Sequence, residues 1–419
     1  MHGLEQIRDR SLGEYEETLC YPLRSRALPD ASDVAFVRSL PLVQLVLTGR
    51  SGSLLVESYF DGHPELIHIP TNFTYFPFVA RTPDLESLRP DDLVRKFFST
   101  YDFRFFLDSH FNEHVVGRLG PAMKTRVVVD PAVFVPALMS CLGDKPTDAA
   151  GFFYALSTAY AWCTDQDIRG CKAVFHHLHH GDWLWPAALA DRHSVSNATF
   201  NSRDLLMPTK LLVTVRDPTD IVRSLPTFVK SYFGDDFPNA RNIHETYLRL
   251  MCQDWQRHDL IRASGIDHVF VPIESVRTDP GGEVRRMANW IGIDAEAPSL
   301  QTSSLFGQLW WGVNSSAPLN GPQAVRKERR PPSWEDMDEP YILAAIGNRV
   351  EAFGYETLPN MSPAVARAIA ANLGDCAITP RFKYEPNLAA VAEMRQRFLA
   401  WAVDWSSSPP HAADRPAAA

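Results

Sequence analysis

The sequence of 419 residues is poor in cysteine, has no long apolar run and has fewer basic than acidic side chains. Its six cysteines are scattered without a C-x-x-C pair, which argues against a disulfide framework or a zinc site and predicts reduced thiols. No apolar run is long enough for a membrane span, and the start of the chain is too polar and acidic for a signal peptide, so we expect neither. A formal net charge of −9 argues against general binding to nucleic acid or anionic membranes. We therefore expect a cytoplasmic protein with locally clustered basic residues at any anion site; the oligomeric state stays open.

A strand, a small-residue turn and a helix follow one another between residues 42 and 62. The run LVQLVL is typical of a strand buried on both faces of a parallel sheet, and helical spacing begins at Ser53 and stops at Gly62. The turn between them, with Arg50 and Gly52, predicts an anion cradle made of backbone N–H groups and a helix N-terminus. The alternative is a βα turn that binds nothing. The turn is not a Walker A loop, because the lysine of G-x-x-x-x-G-K-[ST] is missing.

The rest of the chain alternates between strand and helix patterns, which predicts an α/β fold with three layers and a central parallel sheet flanked by helices. Further strands are expected at 171–180, 210–215 and 268–273. Residues 84–160, which alternate charged and aromatic side chains, predict a helical insertion that shapes a substrate pocket or a lid. The predicted segments are a lead-in (1–40), a main domain (41–360), a C-terminal helical extension (361–405) and a disordered tail (406–419).

A second anion-binding pattern follows the predicted strand KLLVTV. Arg216 stands at its carboxyl end, the edge at which parallel sheets bind ligands, and Ser224 comes eight residues later, about two helical turns on. A guanidinium fork and a hydroxyl suit a phosphate monoester. The alternative is an arginine that pairs only with its neighbour Asp217.

The loop Arg50-Ser51-Gly52-Ser53-Leu54 resembles the [R/K]-S-G-[T/S]-[T/x] loop with which sulfotransferases bind the 5′-phosphosulfate of 3′-phosphoadenosine 5′-phosphosulfate (PAPS). Leu54 replaces the second threonine common in that family, which removes a hydroxyl but keeps the backbone amide. The resemblance implies that Arg50 and the loop amides stabilise the charge on the bridging oxygen as the nucleotide leaves.

Three later segments extend the resemblance over residues 41–355. Arg216 and Ser224 are similar to the arginine and serine that bind the 3′-phosphate in PAPS-dependent sulfotransferases. VFVPIESVRTDP resembles the Y-E-D-L-x-x-x-P turn, with Ser275 in place of Asp, and WWGVNSSAPLNG resembles the W-x-G-N-S stretch of carbohydrate-type and bacterial members. The chain is thus identified as a member of this family, with a P-loop NTPase-like fold. The implied reaction moves a sulfuryl group from PAPS to an acceptor hydroxyl or amine, with a carbohydrate favoured and no metal expected.

A general base must take the acceptor's proton. FHHLHH is similar to the K-x-H-L-P segment of cytosolic members, which implies His177 as the base, with Phe175 in place of the lysine. Strand alternation predicts that His176 and His177 face opposite sides. A metal-binding histidine tract is the alternative, and His68 and Glu113 are rival bases.

The basic residues Arg326 and Lys327 are expected to complete the 3′-phosphate site, unless they form a solvated basic run. Trp310, Trp311 and Phe228 are candidates for stacking on the adenine. Two other functions stay open: a P-loop kinase for a small molecule, which would need Mg²⁺, and a module that binds a 3′,5′-bisphosphate nucleotide without catalysis.

Overall fold

The structure is a computed structural model that describes residues 15–21, 26–47, 51–70, 75–99, 104–112, 118–178, 209–217, 220–221, 261 and 265–312. Its strands are β1 Glu17–Tyr21, β2 Leu42–Leu47, β3 Leu66–His68, β4 Thr125–Val129, β5 Ala173–Leu178, β6 Lys210–Val215, β7 Asp267–Pro272, β8 Ser304–Leu305 and β9 Gln308–Leu309. Its helices are α1 Ala31–Ser39, α2 Ser53–Phe60, α3 Tyr75–Ala80, α4 Pro90–Ser99, α5 Arg104–Leu107, α6 Pro131–Leu142, α7 Ala149–Cys163, α8 Ile273–Thr278 and α9 Pro280–Ile291.

The central sheet is parallel and has the strand order β3-β5-β2-β6-β7. In register, Leu45 of β2 lies between His177 of β5 and Leu212 of β6, and His68 of β3 lies opposite Phe175 of β5. Partners in a parallel pair point to the same face, and alternate residues of one strand do so too. His68 and His177 therefore face the same side of the sheet. The predicted fold class, a helix-flanked parallel sheet, is confirmed.

Helices cover both faces of this sheet. On one face Val56 and Phe60 of α2 pack with Phe175, Ile273 of α8 and Met287 of α9 in one apolar cluster. On the other face the ring of Phe153 in α7 meets His176 edge-on, with the centroids 5.1 Å apart. His176 and His177 thus point to opposite faces, as strand alternation predicts.

Aspartates start three described helices, one in the lead-in and two that begin within residues 84–160. Asp30 accepts backbone N–H groups at the start of α1, and Asp130 and Asp148 do so for α6 and α7. Each carboxylate satisfies an N–H group that has no partner within its helix, which makes the start of the helix well defined.

A second, smaller sheet modifies the prediction for residues 84–160. The segment contains helices, but its strand β4 pairs in parallel with β1 from the lead-in. The lead-in therefore supplies a strand as well as helix α1. A further hairpin, β8–β9, turns at Phe306 and Gly307, which both have positive φ.

Two compact units divide the chain. The first contains Met1–Leu47, Gly52–Thr214 and Gly265–Val325; the second contains Thr48–Ser51, Val215–Ser264 and Arg326–Ala419. The segment boundaries expected from the sequence remain predictions. In the described ranges no helix is both long and apolar enough to cross a bilayer.

Candidate functional site

The turn after β2 is built around Gly52. This residue caps α2 with φ +82° and ψ +23°, in the left-handed region, and its carbonyl accepts the first backbone bonds of the helix. A Cβ at Gly52 would lie 2.6 Å from Cγ1 of Ile273, so the backbone approaches α8 too closely for any side chain. Both facts demand glycine. The following Ser53 is thereby placed as the first residue of the helix.

One face of α2 carries a row of polar side chains towards the sheet. Ser53, Glu57 and Asp61 follow at spacings of four residues, so they lie above one another along the helix and its C-cap. All three are buried, with 7%, 0% and 4% of their surface exposed. A buried row of this kind needs partners across the helix–sheet interface.

His177 of β5 bridges the first two members of the row. Its Nδ1 lies 2.6 Å from Oε2 of Glu57 and its Nε2 lies 3.1 Å from Oγ of Ser53. An ionised carboxylate can only accept, so Nδ1 carries a proton and donates to Glu57. The hydroxyl, the imidazole and the carboxylate are arranged like a nucleophile or acid–base group whose base is held by a third residue.

His68 of β3 binds the other oxygen of the same carboxylate. Its Nε2 lies 3.0 Å from Oε1 of Glu57, and its ring meets Phe175 edge-on at 5.3 Å between centroids. On its far side Nδ1 is 3.7 Å from Oδ1 of Asp61, and no described residue lies within hydrogen-bond distance of this nitrogen. Glu57 is therefore held between two imidazoles, and the polar row continues to Asp61.

The pKa values of the two carboxyl groups in the row, Glu57 and Asp61, are shifted in opposite directions. Burial alone would raise the pKa of the Glu57 carboxyl, but the charge of His177 and hydrogen bonds from His177 and His68 outweigh it, so the pKa lies far below its usual value. Burial raises the pKa of Asp61, against the opposing charge of His68 and a 2.7 Å bond from the backbone N–H of Gly307. Glu57 thus remains the buried anion at the centre of the row.

The structure brings together three of the residues singled out in the sequence: Ser53, His68 and His177. The sequence prediction missed Glu57, which joins them. The four-residue spacing of Ser53 and Glu57 on one helix face was the available signal, but only the sheet order shows that both histidines reach that face. Whether His177 or His68 acts as the base remains a prediction.

Other residues of the predicted loop, and two of the three aromatic residues predicted to stack on adenine, lie in the described part of the chain. Ser51 is buried, and Leu54 packs on an apolar cluster that includes Trp310. Trp310 is only 4% exposed, and Trp311 donates its indole N–H to the carbonyl of Gly120 at 2.8 Å. Both tryptophans thus have structural contacts, and Phe228 lies outside the described residues.

In the second unit, Arg216 follows the end of β6 and its guanidinium lies 4.0 Å from Oδ2 of Asp220. The side chain is 14% exposed. Asp220, four residues on, is thus one acidic neighbour of Arg216. The predicted site residues Arg50, Glu113, Ser224, Arg326 and Lys327 lie outside the described residues.

Among the described residues, no three His, Cys, Asp or Glu side chains are grouped so that they could hold a metal ion. His179 and His180 of the histidine tract lie outside these residues, so the tract as a whole is untested.

No protein-family model and no curated protein matches the chain. Among solved structures, a sulfotransferase domain from the Synechococcus PCC 7002 olefin synthase matches over 90% of this chain and 97% of its own, at 13% identity and a TM-score of 0.34. A sulfotransferase domain from the curacin biosynthetic pathway matches over 83% and 99%, at 11% identity and a TM-score of 0.34. A likeness with values this low shows no function for this chain.

Proposed function

We propose that this chain is a sulfotransferase that moves a sulfuryl group from PAPS to a hydroxyl or amine of an acceptor. The observation that carries the proposal is the 3.1 Å contact between Ser53 and His177. The same family resemblance implies both residues, Ser53 in the phosphosulfate loop and His177 as the general base, in segments far apart along the chain. Their contact supports the proposal.

The buried triad suits the proton that sulfuryl transfer must remove. When bound, PAPS supplies an activated sulfuryl group and a leaving nucleotide that needs no proton. His177 would hold the acceptor's proton at Nε2, and the Glu57 carboxylate at Nδ1 would stabilise the resulting imidazolium. The N–H groups at the start of α2, with Arg50, would stabilise the negative charge that develops on the bridging oxygen.

The nucleotide end of the site is assigned to Arg216 and Ser224, with Arg326 and Lys327 as further cations, on the resemblance of the sequence alone. We favour a carbohydrate as the acceptor, because WWGVNSSAPLNG resembles the stretch found in carbohydrate-type members. The helical segment 84–160 is the part of the chain that we expect to contact it.

Binding of adenosine 3′,5′-bisphosphate, measured by isothermal titration calorimetry, tests the proposal. The wild type should bind, and Arg216→Ala should lose about 2–4 kcal/mol because a charge-assisted, two-pronged contact is removed. Arg95→Ala is the matched control, since Arg95 is a surface arginine with 75% of its side chain exposed, and its affinity should equal that of the wild type.

A folded wild type that does not bind the bisphosphate would reject the proposal. Binding should also be independent of added Mg²⁺; a strict Mg²⁺ requirement with preference for ATP would instead identify a small-molecule kinase. Incubation with ³⁵S-labelled PAPS and a panel of sugars and phenols then separates an enzyme from a binding module, because only the enzyme labels an acceptor.

A further inference from the structure

The environment of His177 limits how it can exchange a proton. Its side chain is fully buried, and both ring nitrogens already have partners. Nδ1 is committed to Glu57, so a proton can arrive only at Nε2, where Ser53 lies. Ser53 directly follows Gly52 as the first residue of α2, and in sequence it belongs to the predicted phosphosulfate loop.

The hydrogen bond between Ser53 and His177 has two directions, which depend on the charge of the ring. When the imidazole is neutral, Nε2 has only a lone pair, so the Ser53 hydroxyl donates to it. When the imidazole is protonated, Nε2–H donates to Oγ, and the Ser53 hydroxyl is free to donate elsewhere. The state of His177 therefore decides whether the loop offers this hydroxyl to an anion.

We propose that Ser53 is a proton relay between the ligands of the loop and His177, and that Glu57 is the positioning residue for the relay. The inference rests on the proposed function for the identity of the ligands. In the forward step the acceptor O–H bond breaks and its proton forms a new O–H bond on Ser53. In the same step the former Ser53 proton moves to Nε2, the acceptor oxygen bonds to the sulfuryl group, and the bond to the nucleotide oxygen breaks.

The relay delivers a hydrogen bond at the moment when the leaving group needs one. Ser53 finishes the step as a neutral hydroxyl whose proton points away from His177, towards the loop. It can then donate to the phosphate of the departing nucleotide, a charge-assisted bond. The product, adenosine 3′,5′-bisphosphate, should therefore bind best to the form of the protein in which His177 is protonated.

Glu57 fits the role of positioning residue because it fixes the ring in both states. Its Oε2 accepts from Nδ1, so Nε2 stays directed at Ser53 whether the ring is neutral or charged. Among the described residues, the charged or titratable groups around this pair are Glu57 on α2, His68 on β3 and, beyond His68, Asp61 at the end of α2.

The test counts the protons taken up when the full chain binds adenosine 3′,5′-bisphosphate. Titration calorimetry in buffers of different ionisation enthalpy gives this number over about pH 5 to 8, the range in which histidine side chains ordinarily titrate. On binding the bisphosphate, the wild type should take up as much as one proton more than Ser53→Ala. For each unit by which the pH is raised, the dissociation constant of the wild type should therefore increase by up to about tenfold more than that of the variant. Protons that the ligand's own phosphates take up are counted equally in Ser53→Ala, so the difference between the two proteins leaves them out.

Two further variants separate the relay from a structural role. Ser53→Thr keeps the hydroxyl and should restore the proton uptake. His177→Gln keeps a polar side chain that does not titrate and should abolish it, while circular dichroism and thermal melting verify the fold of each variant. Equal uptake by wild type, Ser53→Ala and His177→Gln at every pH would overturn the relay.

Inorganic pyrophosphate as a second probe keeps the relay and the proposed function distinguishable. If pyrophosphate binds with uptake that depends on Ser53 but the bisphosphate nucleotide does not bind, the relay stands and the sulfotransferase proposal falls. If the nucleotide binds with uptake that does not depend on Ser53, the relay falls and the proposal stands. Binding of neither probe to the folded wild type would overturn both.

Discussion

Replacing Gly52 by alanine would put a methyl group into occupied space and strain the backbone at once. The new Cβ would lie 2.6 Å from Cγ1 and 2.9 Å from Cδ1 of Ile273, and the φ of +82° is one that side-chain-bearing residues rarely adopt. Ile273 is fully buried in the core shared by α2, α8 and α9. Its Cγ1 is close to the backbone and cannot rotate away as freely as the end of a long side chain can.

The two costs can be estimated separately. A non-glycine residue in the left-handed region costs about 1–2 kcal/mol, and forcing a methyl into a packed core costs about 1–3 kcal/mol. We expect Gly52→Ala to lower the free energy of unfolding by about 2–5 kcal/mol. Because Gly52 places Ser53, binding of adenosine 3′,5′-bisphosphate should weaken in the same variant.

Gly62→Ala provides the matched control. Gly62 has φ +70°, is exposed, and has no atom within 4 Å of a Cβ built on it. It carries the backbone cost without the contact with Ile273, and the effect of alanine on the unfolded chain is the same at both sites. The difference between the two variants therefore isolates the contact with Ile273, about 1–3 kcal/mol.

Urea unfolding followed by both tryptophan fluorescence and circular dichroism measures these values, with coincident curves required for a two-state treatment. A double-mutant cycle with Ile273→Ala, which removes Cγ1 and Cδ1, should recover the contact cost as a favourable coupling. Equal stability of Gly52→Ala and Gly62→Ala, or a cycle that shows no coupling, would refute a steric cost at Ile273.

Two further predictions concern the ionisable groups of the described residues. Because the folded-state pKa of Glu57 lies below its usual value of 4.5, its stabilisation is complete above that pH and is lost as the pH falls further; Glu57→Gln should cost about 3 kcal/mol near neutral pH, with the gap to wild type narrowing in acid. A constant gap in urea unfolding from neutral pH down into acid would contradict this. Among the described cysteines, Cys20 is exposed whereas Cys141 and Cys171 are buried and burial raises the pKa of both thiols. Peptide mapping after brief iodoacetamide treatment should therefore find Cys20 labelled first, and equal labelling of all three would show that the fold opens there.

Local sequence patterns predicted the long, regular elements well. The apolar runs became β2, β5, β6 and β7 within two residues at each end, and helix α2 begins at Ser53 as expected. Gly62 follows the C-cap Asp61 with a positive φ, the usual position of a helix-ending glycine. These features depend on neighbours within one or two turns, so the sequence contains the information.

Short or distant pairings were not predicted. β3 has three residues, and β1 finds its partner β4 more than a hundred residues away. Pro77 lies in the first turn of α3, where a missing N–H group leaves no helical bond unmade. Periodicity over a few residues is too weak a signal in each case.

By itself the sequence determined the strand, turn and helix that carry Gly52 and Ser53, because an apolar run, a glycine and a helical repeat are local instructions. Only the tertiary structure decided that Glu57 would bind both His68 and His177. That meeting requires β3 to lie beside β5 and β5 beside β2, with the registers that turn both imidazoles towards α2. Strand order follows from how the whole chain buries its apolar faces, which no short segment encodes.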